Sequence, residues 1–315
     1  MNSSWNTYEI TIKNSSASIM DEINYELFEM GAIGVEIVQS NQYMTETSDH
    51  FGTIRDSVAS VDEDIVCAYF ESKQTIEKLR SALIRYMDEQ DFEILETTTV
   101  QEDWQLNWKQ YYQQERLSRY LVVNPVWKEY QTTDSEKVIQ IDPGLAFGTG
   151  NHQTTRLSAQ ALEMIMKGNE TIYDVGTGSG ILSFVAGCLG ASKVQGFDLD
   201  SQAIDAANNN LTLQTESAIK DLITHQQISF AENDLLNGIT EPVDIIVANI
   251  LPHILVNLFA DATRLIHPGG YLILGGILAE KSDFIEEEMS KYPFDLKLFL
   301  RNEQWTGFVY QKVEE

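Results

Sequence analysis

The run Asp174-Val175-Gly176-Thr177-Gly178-Ser179-Gly180 spaces glycines two apart, directly after the apolar Ile172 and Tyr173. Glycines in that pattern let a backbone turn tightly and come close to a ligand at the start of the next helix. Asp198 stands 18 residues beyond Gly180, at the end of the following apolar run, where a carboxylate can accept both hydroxyls of a ribose. The dinucleotide fingerprint has its third glycine three residues past the second. Here the spacing is G-x-G-x-G, and no Walker lysine follows. With Asp174 just before the loop and Asp198 beyond it, the arrangement suits a nucleoside that carries positive charge. S-adenosylmethionine, a sulfonium with an ammonium, is such a ligand.

Two more segments hold chemistry-bearing residues. Residues 142–155, DPGLAFGTGNHQTT, carry Gly144, Gly148 and Gly150 with the hydroxyls of Thr154 and Thr155, in a stretch too irregular for a strand. Residues 244–253, DIIVANILPH, end an apolar strand on Asn249. A side-chain amide there overlies the ligand crevice of an α/β sheet and needs partners if buried. His152 and His253 fall in these segments. Imidazoles are common proton acceptors, but a loop histidine is more often a hydrogen-bonding fixture. No His, Cys and Asp cluster has metal-ligand spacing, so no metal is expected.

These residues need strand ends and helix starts to place them. Strands read at 171–175, 193–198, 228–232, 244–249 and 270–275 alternate with helices that begin near Ile181, Ser201, Pro252 and Glu280. That alternation demands a parallel sheet with helices on both faces. Segments 294–301 and 305–312 are too closely joined to be anything but an antiparallel hairpin. A doubly wound sheet ending in a hairpin has the shape of the Rossmann-like methyltransferases. Two short strands, 121–127 and 137–141, precede it. The N-terminal part is different. Strands at 5–12, 34–38, 65–70 and 92–100 combine with helical periodicity at 17–31 (Ile19, Ile23, Leu27, Met30) and 74–88 (Ile76, Leu79, Leu83, Met87). The order β-α-β-β-α-β is the ferredoxin-like split motif. A polar stretch at 39–62 reads as loop. The connector around 102–120, EDWQLNWKQYYQQERLSRY, reads as a semi-rigid helical arm because it lacks glycine and proline.

Composition bounds the rest. A chain of 315 residues with 43% hydrophobic and 22% charged content can build two soluble domains with real cores. No apolar run approaches a membrane span, no secretory signal is evident, and Cys67 and Cys188 read as core thiols of a reducing cytosol. The net charge of -27 disfavours direct nucleic-acid binding; it reads first as a solvated surface and second as a field that steers a basic partner. A cytoplasmic monomer, with neither membrane nor nucleic-acid contact, is expected.

DPGLAFGTGNHQTT, DVGTGSGILS, the acid of FDLDSQAI, VANIL and the EDWxxxWK connector together resemble the ribosomal-protein L-eleven methyltransferase family over nearly the whole chain. The glycine loop is shared by a whole superfamily; DPGLAFGTG with NIL is specific to this one. The resemblance implies an α/β fold: a Rossmann-like class I methyltransferase domain at 119–315, with a seven-stranded, mostly parallel sheet and terminal hairpin. A helical linker at 101–118 would join it to a small ferredoxin-like, substrate-recognising α+β domain at 1–100. It implies methyl transfer from S-adenosylmethionine to lysine side-chain and N-terminal α-amines of a ribosomal protein at the large-subunit stalk base. It carries Thr155, Gly176, Asp198 and Asn249 onto cofactor positions, with Phe147 and Gly178 in the same motifs. Asn249 would also position the amine, helped by the carbonyl of Ile250. Thr177, where the family often has cysteine, and Asn151 depart from its pattern at positions read as mattering through their backbone. The alternatives are a related methyltransferase with another substrate, a nicotinamide dehydrogenase, which the glycine spacing opposes, and a non-catalytic binding module, which the Asn249 segment opposes.

Overall fold

The computed structural model describes residues 4–13, 19–20, 23–24, 26–27, 30–32, 34–38, 63–70, 72–100, 113–133, 135–142, 152–302 and 304–313. Two compact units divide the chain, Met1–Tyr112 and Gln113–Glu315.

In the first unit, β1 (Ser4–Lys13), β2 (Gly34–Val38), β3 (Glu63–Phe70) and β4 (Phe92–Val100) form an antiparallel sheet in the order β2-β3-β1-β4. Alternate residues of these strands, such as Tyr8, Ile10, Ile12, Val66 and Phe70, face one core with Ile23, Leu27, Leu79 and Leu83. Residues 19–20, 23–24 and 26–27 are helical. Helix α1 (Ile76–Leu83) starts at Thr75, whose side chain accepts from the Lys78 N–H. It is shorter than the 74–88 periodicity suggests, because turns follow from Ile84 onward. The 39–62 stretch and residues 101–112 lie outside the described residues.

The second unit begins with a small sheet, β5 (Glu115–Arg116), β6 (Leu121–Pro125) and β7 (Lys137–Ile141). Residues 113–118, expected to finish a helical linker, instead enter this unit. Glu115 and Arg116 pair with Val123 and Val122, and Leu117 is fully buried. Arg116 is pinned by Glu136 and by the Arg119 carbonyl, so partners outside the segment override its helical propensity.

The main sheet has the order β10-β9-β8-β11-β12-β14-β13. Its strands are β8 (Thr171–Val175), β9 (Lys193–Asp198), β10 (Ile228–Glu232), β11 (Val243–Asn249), β12 (Ile266–Leu278), β13 (Phe294–Arg301) and β14 (Trp305–Lys312). All pairs from β10 to β12 are parallel, and the final hairpin is antiparallel. This is the sheet of a class I methyltransferase. Helices are α2 (Gln153–Ile165), α3 (Ile181–Cys188), α4 (Ser201–Leu213), α5 (Ser217–Thr224), α6 (Pro252–Leu265) and α7 (Ser282–Met289).

Strand periodicity divides the core in two. Ile245 and Val247 face a cluster that contains Leu162 of α2, Phe184 of α3 and Leu222 of α5. Ile246 and Ala248 face Leu255 and Phe259 of α6 and Ile285 of α7. Two helices escape the sequence reading, α2 and α5. The inward face of α2 is built from Thr154, Thr155, Ser158, Ala159 and Ala161 as well as Leu157 and Leu162. Small and polar residues there let it lie against β12 and β14, and they hide the apolar stripe by which a helix is recognised.

At the entry end of the sheet, the Thr171 N–H and hydroxyl both donate to Asp244 Oδ2 at 2.8 Å, and the Asp244 N–H donates to Thr171 Oγ1 at 3.1 Å. Replacing Asp244 by alanine strands these donors and should lower stability by about 1–3 kcal/mol in urea unfolding. The opposite, ligand-facing end should keep its affinity; a fall in affinity without a fall in stability would refute this division of labour.

Candidate active site

The glycine turn joins β8 to α3. Gly176, Gly178 and Gly180 have φ of 71°, 53° and 85°, left-handed values that disfavour any side chain with a Cβ. A Cβ on Gly176 would lie 2.2 Å from Ile250 Cγ2, and one on Gly180 would strike Phe184 and Phe230. Both positions are closed to larger residues on two counts.

Hydrogen bonds fix the turn from three directions. Across the sheet, the N–H groups of Gly176 and Thr177 donate to the Phe197 carbonyl at 2.8 and 2.9 Å. From the side, the Gly178 N–H donates to Asp198 Oδ2 at 2.9 Å. From below, Asp174 Oδ2 accepts from Thr177 Oγ1 at 2.7 Å and from both the N–H and the hydroxyl of Ser183, at 3.0 and 2.7 Å. Asp174 is 1% exposed. The pleat turns its Oδ2 inward to clamp turn and helix together, while its Oδ1 has no hydrogen-bond partner among the described residues. Thr177 likewise acts through its hydroxyl as well as its backbone.

Asp198 is differently placed. Its Oδ1 accepts from the Asp200 N–H at 3.1 Å and its Oδ2 from Gly178. A carboxylate has about four acceptor positions, and the N–H groups of Gly178, Asp200 and Leu199 all act on this one, which leaves capacity for an incoming hydroxyl. Burial raises the Asp198 pKa, opposed by the N–H groups of Gly178 and Asp200. Leu199, which follows directly, is 70% exposed. Sequence reasoning passed over it, although a large apolar residue in a loop directly behind a strand-end acid is a usable signal.

Asn249 and Thr155 come together although they are 94 positions apart: Asn249 Nδ2 donates to Thr155 Oγ1 at 3.5 Å. Thr155 is fully buried in the first turn of α2, and Asn249 pairs in register with Gly275. Asn249 Oδ1 is closed to solvent and has no hydrogen-bond partner among the described residues. A Cβ on Gly276, whose φ is 75°, would lie 2.5 Å from the Ile250 carbonyl oxygen. Gly176 and Gly276 thus close on Ile250 from its side chain and its backbone, and fix where the residue after Asn249 sits.

Another polar link was not foreseen. Asn210 of α4, 1% exposed, accepts from the Asp142 N–H at 2.8 Å and donates to the Ser179 carbonyl at 3.0 Å. It ties the start of the DPG segment to the glycine turn. His152 caps α2, with Nδ1 2.7 Å from Thr154 Oγ1 and its ring edge-on to Trp305 at 4.8 Å. That is a fixture's environment. His253 lies in the first turn of α6. Phe147, with the rest of 143–151, lies outside the described residues.

A class I sheet with a G-x-G-x-G turn, a strand-end acid and an asparagine over the crevice narrows the field to methyltransferases. The family model described as "Ribosomal protein L11 methyltransferase (PrmA)" matches residues 4–313. This chain belongs to that family. It is 36% identical over 318 residues to the ribosomal protein L11 methyltransferase of Streptococcus pneumoniae (strain ATCC 700669 / Spain 23F-1), covering 99% of this chain and 97% of that one. It is 37% identical over 297 residues to that of Streptococcus thermophilus (strain CNRZ 1066), covering 92% and 91%. The crystal structure of a ribosomal protein L11 methylase from Lactobacillus delbrueckii subsp. bulgaricus superposes with a TM-score of 0.58 and 33% identity, over 64% of this chain and all (100%) of that one.

Within this family site, Asp174 should titrate unusually. Burial, foremost, lifts its carboxyl from 3.8 to about 6 against its hydrogen bonds, and the Asp198 charge pushes the same way. The folded state therefore holds this proton more tightly than the unfolded chain. The resulting stabilisation is complete below pH 3.8 and is lost as pH rises through about 6. Asp174→Asn has nothing to titrate, so it should gain on the wild type by about 3 kcal/mol between roughly pH 3 and 7. Denaturant midpoints across that range measure it; parallel curves would contradict it.

Proposed function

We propose that this chain transfers methyl groups from S-adenosylmethionine to lysine side-chain and N-terminal α-amines of ribosomal protein L11. The observation that carries the amine assignment is Asn249 Oδ1, a buried acceptor without a partner at the strand end. Leaving such an atom unpaired costs about 1–3 kcal/mol, and an amine N–H is a donor that would satisfy it once binding opens a path to the atom, which is closed to solvent in the free chain.

The residues present fit the cofactor. Asp198 has acceptor capacity left for a ribose hydroxyl, and the positive-φ glycines Gly176 and Gly178 let main chain approach the nucleoside. Leu199 supplies exposed apolar surface for the purine. Thr155 and Phe147 complete the cofactor set on the family pattern. When bound, S-adenosylmethionine supplies an electrophilic methyl on a sulfonium. The chain's own task is to bring a neutral nitrogen to it in line. Lysine has a pKa of about 10.4 and an α-amine about 8, so the attacking amine must lose a proton, which a water-poor site favours. Asn249 Oδ1 and the Ile250 carbonyl accept the remaining N–H groups and aim the lone pair. Positioning of this kind supplies most of the rate gain.

The N-terminal unit is proposed as a ferredoxin-like domain that grips the substrate and presents different amines to one site. Its antiparallel order β2-β3-β1-β4 supports that reading, and the net charge of -27 favours encounter with a basic partner. The same reading places a monomer in the cytoplasm, acting on protein rather than nucleic acid or membrane.

Incubation with methyl-labelled S-adenosylmethionine and purified L11 tests this directly. Label should enter L11 with the wild type, and Asn249→Ala should lose far more transfer rate than cofactor affinity. Equal losses would reduce Asn249 to a cofactor contact. In the same assay, residues 113–315 alone should bind the cofactor yet leave L11 unlabelled; full-rate labelling would remove the recognition role from the N-terminal unit.

A further inference from the structure

Asn249 Oδ1 is not the only orphan in its neighbourhood. Ser158 of α2 is 1% exposed, and its hydroxyl has no hydrogen-bond partner among the described residues. The two oxygens converge on one point. A Cβ added to Gly275 would lie 2.4 Å from Ser158 Oγ and 2.7 Å from Asn249 Oδ1. The space they share exists because residue 275 has no side chain. Ser158 is one helical turn after Thr155, on the same face of α2, and Thr155 Oγ1 already accepts from Asn249 Nδ2. One helix therefore sets a hydroxyl near each end of the Asn249 amide.

Which end of that amide faces the amine decides whether transfer can occur. Oδ1 accepts an N–H and leaves the nitrogen lone pair free. A turned-over amide would donate Nδ2–H to the lone pair and tie it up. We propose that Ser158 is a positioning residue for methyl transfer, its hydroxyl serving as the spare donor that holds Asn249 Oδ1 toward the substrate. The inference rests on the amine role of Asn249 given above.

The chemistry gives the hydroxyl a distinct moment of use. The nitrogen lone pair forms the new N–CH3 bond, the S–CH3 bond breaks with its electron pair left on sulfur, and the surplus N–H proton goes to water. The first and second transfers each replace one N–H by N–CH3 in this way; the third leaves a quaternary ammonium with no proton to lose. A primary amine offers Asn249 Oδ1 an N–H, but a dimethylated amine has none left. From then on, a side-chain donor keeps Oδ1 satisfied and the amide facing the right way. A hydroxyl hydrogen rotates freely between partners, so Ser158 can yield to the first amine and step in for the last.

The test uses the full-length chain, S-adenosylmethionine and L11, with methyl groups per amine counted by mass spectrometry. Ser158→Ala should keep the first transfer within about threefold of the wild type and slow the last by about tenfold or more, so that partly methylated amines accumulate. Cofactor affinity by calorimetry should not change. Ser158→Cys, similar in size but a weak donor, should fall between the two. A merely structural role would slow every step alike. An unchanged ratio between first and last transfers, a uniform loss, or a wild type that stops after one methyl would each overturn the inference while leaving the proposed function intact. A wild type that labels no amine of L11 would overturn both.

Discussion

The Asp174 carboxylate, sealed beneath the glycine turn, is the constraint on which the site depends. Three donors converge on its Oδ2, and they come from the turn and from the first residues of α3. That joins strand end, turn and helix start into one rigid piece. The three left-handed glycines then have a single shape to adopt, and the Gly178 N–H arrives where Asp198 can accept it. A buried carboxylate is costly to charge, and the raised pKa records that cost. The return is a preformed cradle, because positions fixed by packing and hydrogen bonds need not be ordered when a ligand binds.

The second half of the site is held by close approach rather than charge. Gly176, Gly275 and Gly276 each have a neighbour standing where a Cβ would go, so the Asn249-Ile250 step is wedged between β8, β12 and α2. The small residues on the inner face of α2 belong to the same design. They bring Thr155 and Ser158 down onto the strand ends, where a helix with a leucine-rich face would stand further off. One local feature, smallness, thereby governs both packing and the delivery of hydroxyls.

Much of this could be read from the residues in order. The alternation of strands and helices after residue 171 and the terminal hairpin follow from periodicity, and both appear in the sheet. The glycine turn, Asp198 and Asn249 announce themselves because each breaks an apolar run at a strand end. What escaped has a common cause. Small and polar residues interrupt the apolar stripe of helix α2, Asn210 is a polar residue whose partners lie far along the chain, Ser158 is one serine among many, and Leu199 is one leucine among many. Residues 113–118 looked helical by propensity, but Glu115 and Arg116 pair as strand with Val123 and Val122. The inward clamp of Asp174 was not read: the alternation of a strand tells which face a side chain takes, and its Oδ2 accepts from Ser183.

The assignment of the turn and Asp198 to a nucleoside is most directly tested by calorimetry on the intact chain. S-adenosylmethionine should bind to the wild type, and Asp198→Ala, still folded, should lose about 1.5–3 kcal/mol of that affinity, the worth of hydrogen bonds to a charged group. NAD, which needs the other glycine spacing, should give no heat. Undiminished affinity in Asp198→Ala, or binding of NAD in place of S-adenosylmethionine, would contradict the site described here.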